Sequence, residues 1–231
     1  MVHSDPPTPR LWIVVPAFNE AGAIGGVLRA LSDKLPNVVV VDDGSSDQTG
    51  AAALAGGAVV LRHVVNLGQG AALQTGIDYA LERGATHVCT FDADGQHDPA
   101  TIDAMLAALE DSGAEVALGS RFLGGTVGMP PLRRLVLQAA VRYTRWQTGC
   151  HFSDAHNGLR MFTARAARAC RVNQPGMAHA SEILSQIARQ KLPYVEVPTT
   201  VTYSEYSLAK GQSLANSVKI LFDLLYAAWS R

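Results

Sequence analysis

The sequence predicts an α/β fold in which a mostly parallel central sheet is flanked by helices on both faces. Short apolar runs alternate along the chain with segments of helical periodicity, and these runs lack the polar alternation of a strand with one wet face. Acidic residues directly follow three of the runs, at the carboxyl ends of strands where parallel sheets bind their ligands. The two observations predict the fold class and the edge of the sheet that carries function.

The individual elements follow from the apolar pattern. Runs that predict strands lie at 11–15, 38–41, 58–61, 87–91, 116–118 and 195–197. Helical periodicity lies at 21–31, 70–82, 99–109, 132–146, 180–188 and 214–229. Asp98 is a favourable N-cap for the third of these helices, and Pro99 occupies its first position. The glycine- and proline-containing segment 124–131 predicts a mobile loop.

Composition is typical of a globular protein with a sizeable core. The 231 residues are 48% hydrophobic and 17% charged, which suits a single domain, predicted over 11–211. Residues 1–10 predict a flexible tail, and 212–231 predict an apolar helix that covers a membrane surface or a protein interface. Three cysteines without a CxxC pair favour a cytoplasmic location, with peripheral attachment to the inner face of the membrane as a further expectation.

Charge is distributed unevenly along the chain. Residues 1–120 contain 5 basic and 15 acidic side chains, whereas residues 121–171 contain 9 arginines and one acid, Asp154. An acidic half followed by an arginine-rich segment is typical of a protein that binds a metal with one part and anions with the other. Two solvated faces are the alternative interpretation.

Two aspartates, Asp92 and Asp94, end the fourth predicted strand. Side chains two residues apart share one face of an extended chain. Both carboxylates can therefore bind one hard divalent cation against a phosphorylated ligand.

Four motifs occur in a fixed order along the chain. They are Val15-Pro16-Ala17-Phe18-Asn19-Glu20, Val41-Asp42-Asp43-Gly44-Ser45-Ser46-Asp47-Gln48-Thr49, Asn66-Leu67-Gly68-Gln69-Gly70-Ala71-Ala72 and Asp92-Ala93-Asp94-Gly95-Gln96-His97. Together they resemble family-2 glycosyltransferases of the GT-A fold, in particular dolichol- and polyprenyl-phosphate sugar transferases. The resemblance runs from Leu11 to the region of Lys210, and it implies a GT-A (Rossmann-like) sheet with amphipathic helices toward the C-terminus.

The resemblance implies a site for a nucleotide sugar. The turn after the first strand and the aspartate pair after the second would hold the base and ribose. The tight turn from Asn66 to Gly70 would let the backbone approach the nucleotide, with an ordinary helix-entry turn as the alternative. Asp92 and Asp94 would bind Mg²⁺ or Mn²⁺ at the diphosphate, supported by Gln96. The implied contacts are Pro16, Ala17, Asn19, Glu20, Asp42, Asp43, Gly70, Asp92, Ala93, Asp94, Gln96, Arg121 and Lys210.

Three further residues carry expectations from the same resemblance. Arg121, in Gly119-Ser120-Arg121, would face a phosphate. Lys210 would close over the diphosphate, with a plain surface lysine as the alternative. Asp154 would join Asp94 as a catalytic residue by acting as a general base, or it would pair with Arg160 or a neighbouring cation.

The implied function is an inverting, metal-dependent transfer of one sugar from a nucleotide-diphosphate donor to a polyprenyl (dolichyl or undecaprenyl) phosphate. Arg145-Trp146 lacks the upstream glutamine of processive synthases, which favours single transfer. The alternatives are transfer to a hydroxyl of a lipid-linked glycan or polysaccharide precursor, and a non-catalytic nucleotide-sugar-binding protein. The acidic turn after the first strand argues against a nucleotidyltransferase. Expected partners are a membrane surface, a second copy of the chain or a membrane protein, and no nucleic acid.

Overall fold

The structure, a computed structural model, describes residues 10–32 and 37–203. Its strands form one sheet with the order β3-β2-β1-β4-β6-β5-β7. The strands are β1 (Leu11–Ala17), β2 (Val38–Asp42), β3 (Val59–Arg62), β4 (His87–Thr90), β5 (Val116–Val127), β6 (Arg160–Thr163) and β7 (Tyr194–Thr202). The helices are α1 (Ile24–Ser32), α2 (Thr49–Ala55), α3 (Gln69–Glu82), α4 (Ala100–Ser112), α5 (Pro131–Thr148), α6 (Ala164–Ala169) and α7 (His179–Arg189).

The sheet is mostly parallel, as the sequence predicts. β1 pairs in parallel with β2 and β4, β2 with β3, and β5 with β7. Among the strands of residues 10–32 and 37–203, β6 alone runs antiparallel, between β4 and β5. The carboxyl ends of β1, β2 and β4 therefore meet at one edge, and β6 begins at that same edge because of its reversed direction.

Helices cover both faces of the sheet, which explains why the strands read as continuous apolar runs. Every residue of β1 and β2 is buried. Ile13 and Val15 belong to a core formed with residues of α1 and α4, whereas Trp12 and Val14 belong to a second core formed with α3 and α7. Each buried side chain of this size contributes about 1.5–3 kcal/mol of hydrophobic free energy. Because both faces of β1 and β2 are anchored in this way, the positions of their carboxyl ends are fixed.

The prediction of a mobile loop at 124–131 is wrong over its first half. Gly124–Val127 belong to β5, which pairs Gly125 with Thr200 and Val127 with Thr202 after an irregularity in register. A Cβ on Gly124 would lie 2.6 Å from the backbone nitrogen of Thr199. The glycine therefore permits close approach of two strands rather than a flexible connection.

The helix predicted at 132–146 is confirmed as α5. Lys210, the helix predicted at 214–229 and all but the last residue of the predicted tail lie outside the described residues. Within residues 10–32 and 37–203, no helix combines the length and apolar character that crossing a bilayer requires.

Candidate active site

The carboxyl ends of β1, β2 and β4 open into one cleft of about 440 Å³. Six of the residues predicted for the site line it, namely Pro16, Ala17, Glu20, Asp43, Asp92 and Asp94. The cleft walls also include Gln69, the turn 156–158 that precedes β6, and His179 at the start of α7. The sheet topology thus brings the four sequence motifs together, as their placement after the strands predicts.

Asn19 connects the turns after β1 and β2, Asp42 stabilises the turn after β2, and neither residue lines the cleft. Asn19 adopts a left-handed backbone conformation, and its Oδ1 accepts a hydrogen bond from the Ser46 amide. Asp42 is fully buried, and its Oδ1 accepts from the Ser45 amide. Both side chains shape the loops that carry their neighbours, which differs from the expected contact with base or ribose.

Asp43 links the second motif to the third. Its Oδ1 accepts hydrogen bonds from the Leu67 amide at 2.9 Å and His63 Nδ1 at 2.6 Å, while its Oδ2 accepts from the Gly68 amide at 2.7 Å. One carboxylate therefore holds the whole turn that leads into α3 against the end of β2.

The turn from Asn66 to Gly70 contributes Asn66, Gly68 and Gln69 to the cleft, whereas Gly70 itself packs against the protein. A Cβ there would overlap the carbonyl oxygen of Gln174, and the Gly70 amide donates to the carbonyl oxygen of Pro175 at 2.7 Å. Gly70 is buried and lies outside the cleft lining, whereas Gly68, with φ at +98°, lines it. The glycine at 70 thus lets residues 174–175 pack on the turn.

Asp92 and Asp94 lie in the turn that follows β4, and their carboxylates are in different environments. Asp92 accepts hydrogen bonds from Gln69 Nε2 at 3.1 Å and from His97 Nε2 at 3.2 Å. The Gln96 amide donates to Asp94 Oδ1 at 3.1 Å. Ala93, between the aspartates, points away into the apolar core beneath them.

The two carboxylates differ in pKa because they receive different compensation for burial. Burial raises the pKa of Asp94 to about 6, with a further increase from the charge of Asp92. Burial also acts to raise the pKa of Asp92, but its hydrogen bond to His97 and the charges of His97, His179 and Arg160 lower it overall. The pair concentrates negative charge that a divalent cation would neutralise.

Carboxylate oxygens are the ligands that Mg²⁺ and Mn²⁺ prefer, so the donor set at Asp92 and Asp94 fits either ion. Gln69 and His97 orient the first of these carboxylates, in the manner of groups that position metal ligands. Across residues 10–32 and 37–203, no cluster of three or more His, Cys, Asp or Glu side chains is arranged to bind a metal. A cation at this pair would need oxygen ligands from a bound substrate or water to complete its coordination.

Arg121 and Asp154 form a buried ion pair beside the cleft. Arg121 Nε lies 2.6 Å from Asp154 Oδ2, which also accepts from the Arg121 amide. The remaining guanidinium nitrogens donate to the Tyr203 hydroxyl at 2.8 Å and to the carbonyl oxygen of His156 at 2.6 Å. This geometry does not support a phosphate-facing Arg121, and it favours the ion-pair interpretation of Asp154, with Arg121 rather than Arg160 as partner.

Arg133, in the first turn of α5, presents a different environment. Its side chain is nine-tenths buried, and Nε and Nη1 have no hydrogen-bond partner within the described part of the chain. The guanidinium lies over the ring of Tyr203, 4.6 Å from the centroid. Burial is the largest influence on the pKa of Arg133 and lowers it, and the charge of Asp94 is close enough to raise it. A buried guanidinium with two nitrogens that lack a partner among residues 10–32 and 37–203 is suited to bind an anion.

The turn before β6 belongs to segment 152–162, which resembles the family segment beside the acceptor, although the sequence assigns no role to Asn157 or Gly158 individually. His156, Asn157 and Gly158 all line the cleft, opposite the turn that follows β1. Burial lowers the pKa of His156 to about 4, so its imidazole is neutral at physiological pH. The position of these residues follows from β6 starting at the functional edge, and the local sequence carries no signal for the direction of a four-residue strand.

The sequence is similar to a protein-family model and to proteins of known function. A family model described as Glycosyl transferase family 2 matches residues 12–167. The polyprenol monophosphomannose synthase of Mycolicibacterium smegmatis is 34% identical over 217 residues, which cover 88% of this chain and 82% of that protein. The UDP-N-acetylglucosamine--dolichyl-phosphate N-acetylglucosaminyltransferase of Methanococcus voltae is 29% identical over 237 residues, covering 93% of this chain and 94% of that protein.

A solved structure provides the comparison of folds. Glucosyl-3-phosphoglycerate synthase from Mycobacterium tuberculosis, in complex with Mn²⁺ and UDP-glucose, is similar with a TM-score of 0.71 at 18% identity. The match covers 95% of this chain and 79% of that one. The likeness establishes a shared fold, in agreement with the GT-A sheet that the sequence predicts.

Proposed function

The chain belongs to glycosyl transferase family 2, and from that premise we propose that it transfers one sugar, with inversion, from a nucleoside-diphosphate sugar to a polyprenyl phosphate. The observation that carries the proposal is the acidic pair Asp92–Asp94 in a cleft at the sheet edge, with the buried Arg133 near enough for the charge of Asp94 to raise its pKa against the effect of burial. The M. smegmatis and M. voltae relatives, which are named for transfer to a polyprenol and to a dolichyl phosphate, support a lipid-phosphate acceptor.

The donor would lie along the cleft. Pro16, Ala17 and Asp43 would contact the nucleoside, since they line the cleft at the ends of β1 and β2. Asp92 and Asp94 would hold Mg²⁺ or Mn²⁺, and Asp94 must be ionised to do so. When bound, the ion would offset the charge that develops on the departing nucleoside diphosphate. Lys210 remains a candidate for closing over the diphosphate.

The acceptor phosphate would bind Arg133. A buried guanidinium with unpaired N–H groups loses about 1–3 kcal/mol for each unmet donor, and a phosphate oxygen would satisfy it with a charge-assisted bond. Tyr203 holds the guanidinium in place through its ring. A phosphate is already an anionic nucleophile, so the acceptor requires no general base. The engagement of both Asp154 oxygens within the protein weakens the alternative of a hydroxyl acceptor activated by Asp154.

The outer face of α5 suits a membrane surface, where the acceptor resides. Leu132, Leu135 and Trp146 are 52%, 60% and 73% exposed, and Arg134 and Arg142 are exposed on the same helix. Exposed apolar side chains together with arginines are typical of helices that lie in the interface of anionic bilayers. This face would bring Arg133, on the buried side of the same turn, close to a lipid phosphate.

The test mixes the purified full chain and Mn²⁺ with radiolabelled UDP-glucose, UDP-N-acetylglucosamine or GDP-mannose, and with undecaprenyl phosphate in detergent. The proposal expects label from at least one donor in the organic phase, and none with Asp94→Asn. Label transferred only to preassembled lipid-linked glycans would contradict the phosphate acceptor. Full metal-dependent transfer by Asp94→Asn would contradict the role of the acidic pair.

A further inference from the structure

The turn formed by His156, Asn157 and Gly158 contains two buried polar atoms that have no partner in the described part of the chain. Asn157 is only 3% exposed, and its Nδ2 makes no hydrogen bond within residues 10–32 and 37–203. The same is true of His156 Nδ1. Both residues line the cleft. A buried amide donor without a partner costs about 1–3 kcal/mol, so a bound ligand that supplies an oxygen would recover this free energy.

The structure fixes which atoms of the turn remain free. Asn157 Oδ1 accepts from the Leu159 amide at 3.0 Å, and the Asn157 carbonyl accepts from Arg160 Nε at 3.1 Å. The Gly158 carbonyl accepts from Thr90 Oγ1 at 2.6 Å, which ties the turn to the end of β4. Because Oδ1 already accepts a hydrogen bond, the Asn157 amide is oriented with its NH₂ group as the free donor. The turn is thus rigid and preorganised.

The order of strands at the functional edge indicates which part of the donor this turn would meet. Moving along the edge, Asp43 follows β2, Pro16 and Ala17 end β1, Asp92 follows β4, and Asn157 precedes β6. Adjacent strands lie about 4.8 Å apart. A nucleoside at β2 and β1 with its diphosphate at β4 would therefore place the next group of the donor, the sugar, beside β6.

The chemistry of the turn fits hydroxyl groups. Asn157 Nδ2 can only donate, and a neutral imidazole offers one donor and one acceptor. Sugar hydroxyls both donate and accept hydrogen bonds, so they match Asn157 Nδ2 and the His156 imidazole. A phosphate group would instead be bound best by a cationic side chain. On these grounds, and resting on the proposed function, we propose that Asn157 and His156 recognise the hydroxyls of the sugar in the nucleotide-sugar donor. The pair is thereby specificity-determining for the sugar and not for the nucleotide.

Calorimetry with two ligands separates the sugar from the nucleotide. The dissociation constant of a nucleoside diphosphate is compared with that of the corresponding nucleotide sugar, each titrated separately in the presence of Mn²⁺. The two ligands are UDP and UDP-glucose, or GDP and GDP-mannose, whichever pair the wild-type protein binds. Asn157→Asp keeps the oxygen that accepts from the Leu159 amide and removes the free donor, and Asn157→Ala removes both. Asn37→Asp, at the opposite edge of the sheet where Asn37 Nδ2 donates to the Leu11 carbonyl, controls for the added charge.

Both Asn157 variants are expected to bind the nucleotide sugar about tenfold or more weakly, with the nucleoside diphosphate unchanged within twofold. Asn37→Asp is expected to behave as the wild type. Unchanged affinity for the nucleotide sugar, or an equal loss for both ligands, would overturn the sugar-recognition role while leaving the proposed function in place. A wild-type protein that binds no nucleotide sugar would instead overturn the proposed function, and this inference with it.

Discussion

Gly158 gives a sharp test of the geometry at the acidic pair, because it has no room for a side chain. A Cβ at this position would lie 2.7 Å from Cγ and Oδ1 of Asp92, and closer still to Oδ2. Ordinary contacts begin near 3.4 Å, so Gly158→Ala would push the Asp92 carboxylate away by about 1 Å. Misplacing a reacting group by about 1 Å costs on the order of 100-fold in rate.

We therefore expect Gly158→Ala to lower kcat/KM for sugar transfer about 100-fold and to weaken Mn²⁺ binding at least tenfold. Its melting temperature should stay near that of the wild type, since the displaced carboxylate lies in the cleft. Gly125→Ala is the matched control, because a Cβ there meets nothing closer than Thr200 Oγ1 at 3.8 Å. A folded Gly158→Ala protein with wild-type transfer and Mn²⁺ affinity would refute the predicted position of Asp92 in the site.

Three further predictions concern charge. Because the pKa of Asp94 is about 6, its ionised fraction falls from about nine-tenths at pH 7 to about one-tenth at pH 5. The affinity for Mn²⁺, measured by calorimetry, should therefore fall about tenfold between these pH values. Asp94→Asn should remove this pH dependence. Asp154→Ala removes the carboxylate that pairs with the buried Arg121 guanidinium, so the free energy of unfolding in urea should fall by about 3–5 kcal/mol. Unchanged stability together with lost sugar transfer would instead indicate that Asp154 is a catalytic base. Arg133→Met should raise KM for undecaprenyl phosphate about tenfold or more without changing donor affinity, and an equal effect on both would contradict an acceptor site.

Much of the sheet is predictable from sequence because burial on both faces removes the polar alternation from each strand. The runs at 11–15, 38–41 and 87–91 coincide with β1, β2 and β4, and their acidic ends meet as predicted. β6 escapes such reasoning, since four residues carry no signal for direction and its pairing with β4 joins residues about 70 positions apart. The turn that contains Asn157 enters the cleft only because of that pairing.

The roles of individual charges depend on tertiary contacts that no local pattern reveals. Asp154 is conspicuous in sequence as the single acid among arginines, yet its partner Arg121 is 33 residues away and is brought close by the pairing of β5 and β6. Gly70 is predictable as a glycine-requiring position, but the group that approaches it is the carbonyl of Gln174. Residue type therefore predicted that Asp154 needs a cationic partner and that position 70 needs a glycine. The fold determined which group is the partner and which group approaches the glycine.

The most direct test of the central claim is a crystal of this protein soaked with Mn²⁺ and UDP or GDP. The account predicts an anomalous peak bonded to carboxylate oxygens of Asp92 and Asp94, about 2.0–2.2 Å from each, with diphosphate oxygens completing the coordination. Ordered nucleotide with no metal at these two carboxylates, or a metal bound elsewhere in the cleft, would contradict it.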